Sequence, residues 1–213
     1  MTRIGAWLFH RRTIIPLPLA LAVLLTPARL GRGTASVAAT GVVVVMLGEA
    51  IRLWGVRHIG VISRTRSDRL GPLVASGPFA LVRNPLYIGN IVLWIGFAVS
   101  ARLLWLVPVL VAILAFDYHA IVRWEERLLE ERQGDRYRAY AAQVPRWVPH
   151  TFNRGARKAR PSPSSGQAAC GERSRTAVSA VNVFSWRETF YSERGTLVAI
   201  AIGFALLWLR PKV

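Results

Sequence analysis

The sequence predicts an all-α fold, a polytopic integral membrane bundle of about five transmembrane helices. Three observations carry that reading. Of 213 residues, 53% are hydrophobic, and they gather into blocks instead of alternating with charges. Ala35–Met46 and Leu103–Phe116 hold no charged residue, whereas a soluble amphipathic helix interleaves polar groups at its 3.6-residue period. Finally, 28 Lys+Arg against 11 Asp+Glu leave a formal charge of +17, and the basic residues crowd the segments between alternate blocks. A soluble globule, a disulfide scaffold and a wholly disordered chain all fit this pattern badly.

A helix crossing the hydrocarbon core needs roughly 20 residues. Five stretches approach that length. The first, Thr13–Leu30, is interrupted by Pro16, Pro18 and Pro27. His10-Arg11-Arg12 ahead of it resembles the start of a signal peptide, but prolines inside the run and the absence of a clear A-x-A site following it disfavour cleavage. The second, Ala35–Trp54, carries Glu49 and Arg52 at i, i+3. Buried charges in a span are costly, so these two pair with each other or line an acceptor cavity. Gly41 and Gly48 mark a close helix contact. The third, Leu86–Ala101, and the fourth, Leu103–Val122, are separated by Arg102 alone, which forces an antiparallel hairpin. The fifth, Thr196–Leu209, is short and either spans or lies along the surface. The basic bias places the N-terminus and both long basic segments in the cytoplasm, with the protein in the plasma (inner) membrane.

Residues 1–69 then form N-terminal membrane helices and a loop, 70–150 a core, 151–195 a basic flexible linker, and 196–213 an extra C-terminal helix. Arg157-Lys158-Ala159-Arg160-Pro161 has no apolar period. Such a run favours anionic lipid, at about 1 kcal/mol per basic residue near the surface. Without interleaved aromatics it is not read as a nucleic-acid site. Cys170 is the only cysteine, and neither His58 nor His119 has a second ligand at metal spacing, so no metal partner is expected.

Two segments are more than connectors. Gly77-Pro78 is a turn, and Asn84-Pro85 reads as an N-cap followed by proline at the first helical position. A helix start offers free N–H groups to an anion, and Arg83 adds a fork suited to a carboxylate. The fourth stretch continues through Asp117, Ile121 and Glu125 on one face at i, i+4, i+8, with Glu126 beside them. Glu130, Glu131 and Asp135 fit an ordinary solvated helix, but Glu125 and Glu126 lie where the helix leaves the bilayer and can face the bundle.

Arg83-Asn84-Pro85-Leu86-Tyr87-Ile88-Gly89, the hairpin, Glu125-Glu126-Arg127-Leu128-Leu129, then Tyr137-Arg138-Ala139-Tyr140 and Val144-Pro145-Arg146 follow in order. Together they resemble the isoprenylcysteine carboxyl methyltransferase and phospholipid methyltransferase superfamily over residues 70–150. The resemblance implies a pocket for S-adenosylmethionine at the cytoplasmic face, with a lipophilic or lipid-anchored acceptor entering from the membrane lipid. By position, Arg83, Asn84, Pro85, Tyr87 and Gly89 would cradle the cofactor. Glu125 and Glu126 would face its amino group and the reacting end, and Tyr137, Tyr140 and Pro145 would close the pocket. Arg83, Glu125 and Glu126 are the expected catalytic set. Asn84 stands where the family has histidine, and an amide cannot take a proton. Carboxyl O-methylation of an isoprenylcysteine-like, prenylated substrate is favoured over N-methylation of a phospholipid amine. The alternatives are an NADPH-dependent membrane reductase of the steroid-reductase type and a non-enzymatic membrane protein with a decayed site.

Overall fold

The computed structural model describes residues 2–12, 14–27, 34–60, 73–149 and 183–209, and all regular structure among them is helical. Seven α-helices follow in order: α1 (Thr2–Arg11), α2 (Pro16–Leu25), α3 (Ala35–Ile59), α4 (Pro85–Ser100), α5 (Val107–Gln133), α6 (Asp135–Gln143) and α7 (Trp186–Leu209). Short 3-10 turns at Gly77–Ala80 and Leu104–Leu106 precede α4 and α5. By length and hydropathy three helices among the described residues can cross a membrane: Ala35–Ile59, Leu104–Gln133 and Trp186–Leu209. The pair α1–α2, bent by 60°, is a fourth candidate. Helix α4 is apolar but has 16 residues, a rise of about 24 Å against a hydrocarbon core of about 30 Å. The expected count of five is therefore not reproduced by length.

Two predicted boundaries move, each for a local reason. The first stretch was expected from Thr13, yet a helix already runs from Thr2 to Arg11 and a second starts at Pro16. Proline has no N–H to give the preceding turn, so it opens a new helix and leaves the bend. The last helix begins at Trp186, ten residues ahead of Thr196 and inside the stretch read as linker. Its start is a capping box. The Ser185 backbone N–H donates to Glu188 Oε2 at 2.7 Å, and the Glu188 N–H donates to Ser185 Oγ at 3.3 Å, satisfying end groups that water would otherwise take. Residues 150–182, including Cys170, lie outside the described residues.

The centre of the bundle is α3. Helix α4 packs on it antiparallel at backbone distance. A Cβ on Gly48 would lie 2.9 Å from the Gly89 carbonyl oxygen and 2.7 Å from Leu93 N; one on Gly41 would lie 2.7 Å from the Gly96 carbonyl oxygen. The reverse holds too, since Cβ atoms on Gly89 and Gly96 would meet the Gly48 and Gly41 carbonyls, each at 2.9 Å. Four glycines, seven apart on each helix, thus lock one register. Helix α7 also lies antiparallel to α3, pinned where Phe184 N–H donates to the Arg57 carbonyl at 2.9 Å and Arg57 stacks on Trp186.

The expected fold-back after α4 is present. Arg102 takes φ 62°, a left-handed conformation that glycine usually occupies. It is held there by a helix-ending bond pair, Leu103 N–H to the Ala98 carbonyl at 2.8 Å and Arg102 N–H to the Val99 carbonyl at 2.9 Å. Helix α5 then returns past α4 and carries α1, whose Phe9 stacks on Trp124 with ring centres 4.7 Å apart. The 27 residues of α5 rise about 40 Å, so the turns bearing Glu125 and Glu126 extend toward the membrane edge.

Gly48→Val is expected to lower stability by about 1–3 kcal/mol, because the added atoms meet backbone that cannot turn aside. Gly195→Ala, where a Cβ meets nothing within 4 Å, should stay at or above wild-type stability. Denaturant unfolding in detergent, followed by loss of helix signal, measures both.

Candidate functional site

A cavity of about 840 Å³ opens among α2, α3, α4, α5, α6 and α7, within the range of small-molecule sites. One end is polar and the other apolar. The polar end is assembled where three chain segments meet. The 3-10 turn Gly77–Ala80 is seated by Gly77, at φ 59°, against the His58 ring. His58 in turn hydrogen-bonds the Trp54 carbonyl at 3.0 Å, an interfacial structural role. From that turn the chain rises through Arg83 and Asn84 into α4. Gly134, at φ 53°, turns the chain from α5 into α6, which brings Tyr137 and Tyr140 over the cavity. The Tyr140 hydroxyl donates to the Phe79 carbonyl at 2.7 Å, and the Arg83 backbone N–H donates to the Pro145 carbonyl at 2.9 Å. These two bonds staple the α6 end to the α4 entry.

Glu126 is the charge centre. Arg83 Nε lies 3.4 Å from its Oε1. Arg146 Nε donates to both carboxylate oxygens, at 3.0 and 3.1 Å, and Arg146 Nη2 also donates to Oε2. A planar guanidinium matched to a carboxylate in this way is the strong form of an ion pair. Glu125, one residue earlier, points to a different partner: the Tyr87 hydroxyl donates to its Oε1 at 3.0 Å. Tyr87 is stacked on Tyr118 of α5 with ring centres 4.8 Å apart. Two polar atoms at this end are buried without a hydrogen-bond partner, Arg83 Nε and the Tyr137 hydroxyl. Burial, together with the nearby Glu126 carboxylate, pushes the Tyr137 phenol up to about 12, and burial pushes Tyr140 up as well. Both stay neutral at physiological pH. The Glu126 carboxylate holds the Arg146 guanidinium above its ordinary range.

Eight of the ten residues singled out in the sequence line this one cavity: Arg83, Asn84, Pro85, Tyr87, Glu125, Glu126, Tyr137 and Tyr140. Gly89 and Pro145 do not. Gly89 faces α3, and Pro145 touches the site through its carbonyl only. Asn84 sits at the N-cap position but its side chain caps nothing; with φ −129° and ψ 54°, its amide instead donates to the Arg146 carbonyl at 3.3 Å. The two expected grips, Arg83 and Glu126, are adjacent and paired with each other. Arg146 was legible only as the last residue of a motif.

Further along the cavity a second buried charge group appears. Arg52 Nε lies 3.3 Å from Glu49 Oε2, Nη2 donates to Glu193 Oε2 at 2.6 Å and to Thr196 Oγ1 at 3.2 Å, and Nη1 donates to Asn90. Arg52 thus both pairs with Glu49 and lines the cavity. Asn90, Glu193, Thr196 and Arg12, which also line it, were not singled out. Arg12 sits over the Phe9 ring at 4.4 Å. His119 lies at a separate, shallower depression beside Trp147. Among the described residues no group of three His, Cys, Asp or Glu side chains is placed to hold a metal ion.

Breaking the Glu126 cluster at its better-hydrogen-bonded side should be costly. Arg146→Ala is expected to destabilise by about 2–3 kcal/mol, less than a fully buried pair because Arg146 keeps some exposure; thermal unfolding in detergent reads it. Alkaline titration tests the phenols. An ordinary tyrosine ionises near 10, whereas Tyr137 in the fold ionises near 12. Between those values the unfolded chain loses a proton that the folded chain keeps, so stability falls as pH rises. The phenolate absorbance missing from Tyr137→Phe should accordingly be a step near 12.

Residues 37–136 match the family model for phospholipid methyltransferase, of the isoprenylcysteine and phospholipid methyltransferase superfamily. Among curated proteins, the chain is similar to the cobalt-zinc-cadmium resistance protein CzcN of Cupriavidus metallidurans, 30% identical over 109 residues, covering 51% of this chain and 47% of that one. It is also similar to the nickel-cobalt-cadmium resistance protein NccN of Alcaligenes xylosoxydans xylosoxydans, 28% identical over 116 residues, covering 54% of this chain and 51% of that one. The aligned region spans about half the length of each relative. No solved structure matches the chain.

Proposed function

We propose that this chain is a membrane methyltransferase, binding S-adenosylmethionine at the polar end of the cavity and a lipophilic acceptor at its apolar end. One observation carries the reading: two guanidinium groups, Arg83 and Arg146, converge on the Glu126 carboxylate at the polar end of the cavity, with Tyr137 and Tyr140 lining it beside them. An amino-acid moiety bears a carboxylate and an ammonium on one carbon. It therefore fits a guanidinium and a carboxylate that stand side by side, each exchanging a protein partner for a ligand one. The cofactor, when bound, supplies an electrophilic methyl group on a sulfonium sulfur.

The remaining work falls to the chain's own residues. Glu126 takes the ammonium while Arg83 and Arg146 share the carboxylate. Tyr137, Tyr140 and Phe79 give a ring-lined wall and exclude water from it. Asn84 orients through its amide and moves no proton. Gly89 acts by letting α4 close on α3, and Pro145 by anchoring the Arg83 peptide. Alignment of donor and acceptor then contributes most of the rate, up to roughly 7–11 kcal/mol in favourable cases.

The acceptor classes divide by proton demand. A carboxylate attacks as it stands, and Arg12 would face it; carboxyl O-methylation of an isoprenylcysteine-like acceptor is the favoured reading. A phospholipid amine must lose a proton, and Glu125, which accepts a hydrogen bond from Tyr87 and lies outside the Arg83–Arg146 cluster, is the carboxylate to take it. The metal resistance named for the two relatives specifies no acceptor chemistry.

Calorimetric titration of the purified chain with S-adenosylmethionine tests the cofactor. Saturable binding is expected, weakened at least about tenfold in Arg83→Ala and Glu126→Ala, since each removes a charge-assisted hydrogen bond. Saturable NADPH binding with no S-adenosylmethionine binding would replace this reading with the reductase. Glu125→Gln separates the acceptors. Methyl transfer to a prenylcysteine carboxylate should survive within about threefold, whereas transfer to phosphatidylethanolamine should fall about a hundredfold or more, in the range general base catalysis supplies.

A further inference from the structure

Helix α7 lies outside residues 37–136, the stretch that matches the methyltransferase family model, yet it forms one side of the cavity. Its contribution is specific in shape. Gly195, Ala199 and Gly203 fall at i, i+4 and i+8 and so share one face; all three line the cavity, with Thr196 beside them. Leu93 and Phe97 of α4 stand across the gap. At the Gly203 end the helices nearly touch, because a Cβ there would lie 2.9 Å from the Phe97 ring; at Gly195 nothing lies within 4 Å. The gap between α7 and α4 therefore opens toward the polar end, and it is continuous with the site that holds Arg83 and Glu126.

A wedge between two helices in an apolar setting collapses unless something keeps them apart and in register. The buried node at the wide end does so. Arg52 of α3 bonds Glu193 and Thr196 of α7 and Asn90 of α4, tying three helices through one guanidinium. Glu193 and Glu49 are 4% and 3% exposed. Charges at such depth persist only when partnered. With three hydrogen bonds to side chains of α4 and α7 and an ion pair to Glu49, Arg52 acts as a brace between three helices.

From this geometry we infer that the cleft between α7 and α4 is the binding site for the hydrocarbon chain of the acceptor, and that Glu193 is a positioning residue that holds its α7 wall open through Arg52. The chain enters beside Gly195, with the small side chains of α7 on one side and Leu93 and Phe97 on the other. The inference rests on the methyltransferase reading for what the bound molecule is for, and on the cleft alone for where its chain lies.

Photolabelling with a tail-diazirine palmitate, at substoichiometric amounts on the full chain in detergent, tests the site at residue resolution. Lipid-facing Val198, Ile202 and Leu206 provide an internal control, since any surrounding amphiphile labels them. In the wild type, label is expected on Gly195, Ala199 and the opposing Leu93–Phe97 stretch. Ala199→Trp should lower that labelling about fivefold or more by filling the cleft, with Val198, Ile202 and Leu206 unchanged. Glu193→Gln should lower it too, and Glu193→Asp should restore it. Labelling confined to the lipid-facing positions in the wild type would overturn the proposal, as would unchanged cleft labelling in a folded Ala199→Trp. Should Ala199→Trp not fold, the wild-type pattern and Ala199→Leu decide. S-adenosylmethionine binding is measured on the same preparation: its absence alongside cleft labelling would sink the chemistry and leave the chain site standing.

Discussion

The site depends on the backbone contact between α3 and α4. Four glycines let two helices approach until carbonyl oxygens of one stand where side chains of the other would begin. That contact has no freedom to slide, because a shift of one residue would drive a side chain into backbone. It fixes Tyr87, Asn90 and Leu93 relative to Arg52, and it fixes the height at which α4 starts. Arg83, Asn84 and Pro85 hang from that start. Helix propensity alone would not produce this arrangement; a glycine inside a helix is unfavourable by roughly 0.5–1 kcal/mol relative to alanine. The cost is offset by packing that only glycine permits.

Charge neutralisation is the second constraint, and it explains why the cavity has two polar centres. Glu126 is flanked by Arg83 and Arg146, and Arg52 by Glu49 and Glu193. The centres have opposite sense: one carboxylate between two guanidinium groups, one guanidinium between two carboxylates. The first joins Arg83 and Arg146 to a carboxylate on α5, and Arg146 keeps 27% of its side chain exposed. The second ties three helices together through Arg52, with both of its carboxylate side chains 5% exposed or less, and serves to hold them.

The sequence made much of this legible. Apolar stretches placed α3, α4 and α5, although α3 runs on past Trp54 to Ile59 and α5 past Val122 to Gln133, and glycine spacing gave the helix contact. The local motifs gave the polar end because its residues come in short runs whose order is fixed. Arg83 to Tyr87 enter one helix, Glu125 and Glu126 leave another, and Tyr137 and Tyr140 lie on the turn after it. What stayed hidden was pairing across long separations. Glu193 meets Arg52 across 141 residues, and no local period reports that. Asn90 was passed over because an amide one turn beyond Tyr87 looks like any polar residue in a short helix. The start of α7 was missed for a different reason. Ser185-Trp186-Arg187-Glu188 is a capping-box pattern, but it follows a long basic run whose composition masked it.

The position of α7 bears on how one wall of the cavity is added to the matched core. The matched stretch, 37–136, contains α3, α4 and α5, and with them the glycine contact, Arg83, Glu125 and Glu126. Arg146, Tyr137 and Tyr140 fall just beyond it, and Glu193 well beyond. A core of this kind can fix the polar end of the cavity while leaving one side of it unwalled. Whatever helix is laid there sets the width and polarity of the other half without disturbing the charge cluster around Glu126. The anchoring requirement is small: one guanidinium already present on α3 and one carboxylate on the incoming helix. A pair of that kind specifies register more than it stabilises, because desolvating both charges offsets most of their attraction. Register is what a cavity wall needs, since a helix rotated by one residue would put Val198 and Ile202 into the cleft in place of Ala199 and Gly203.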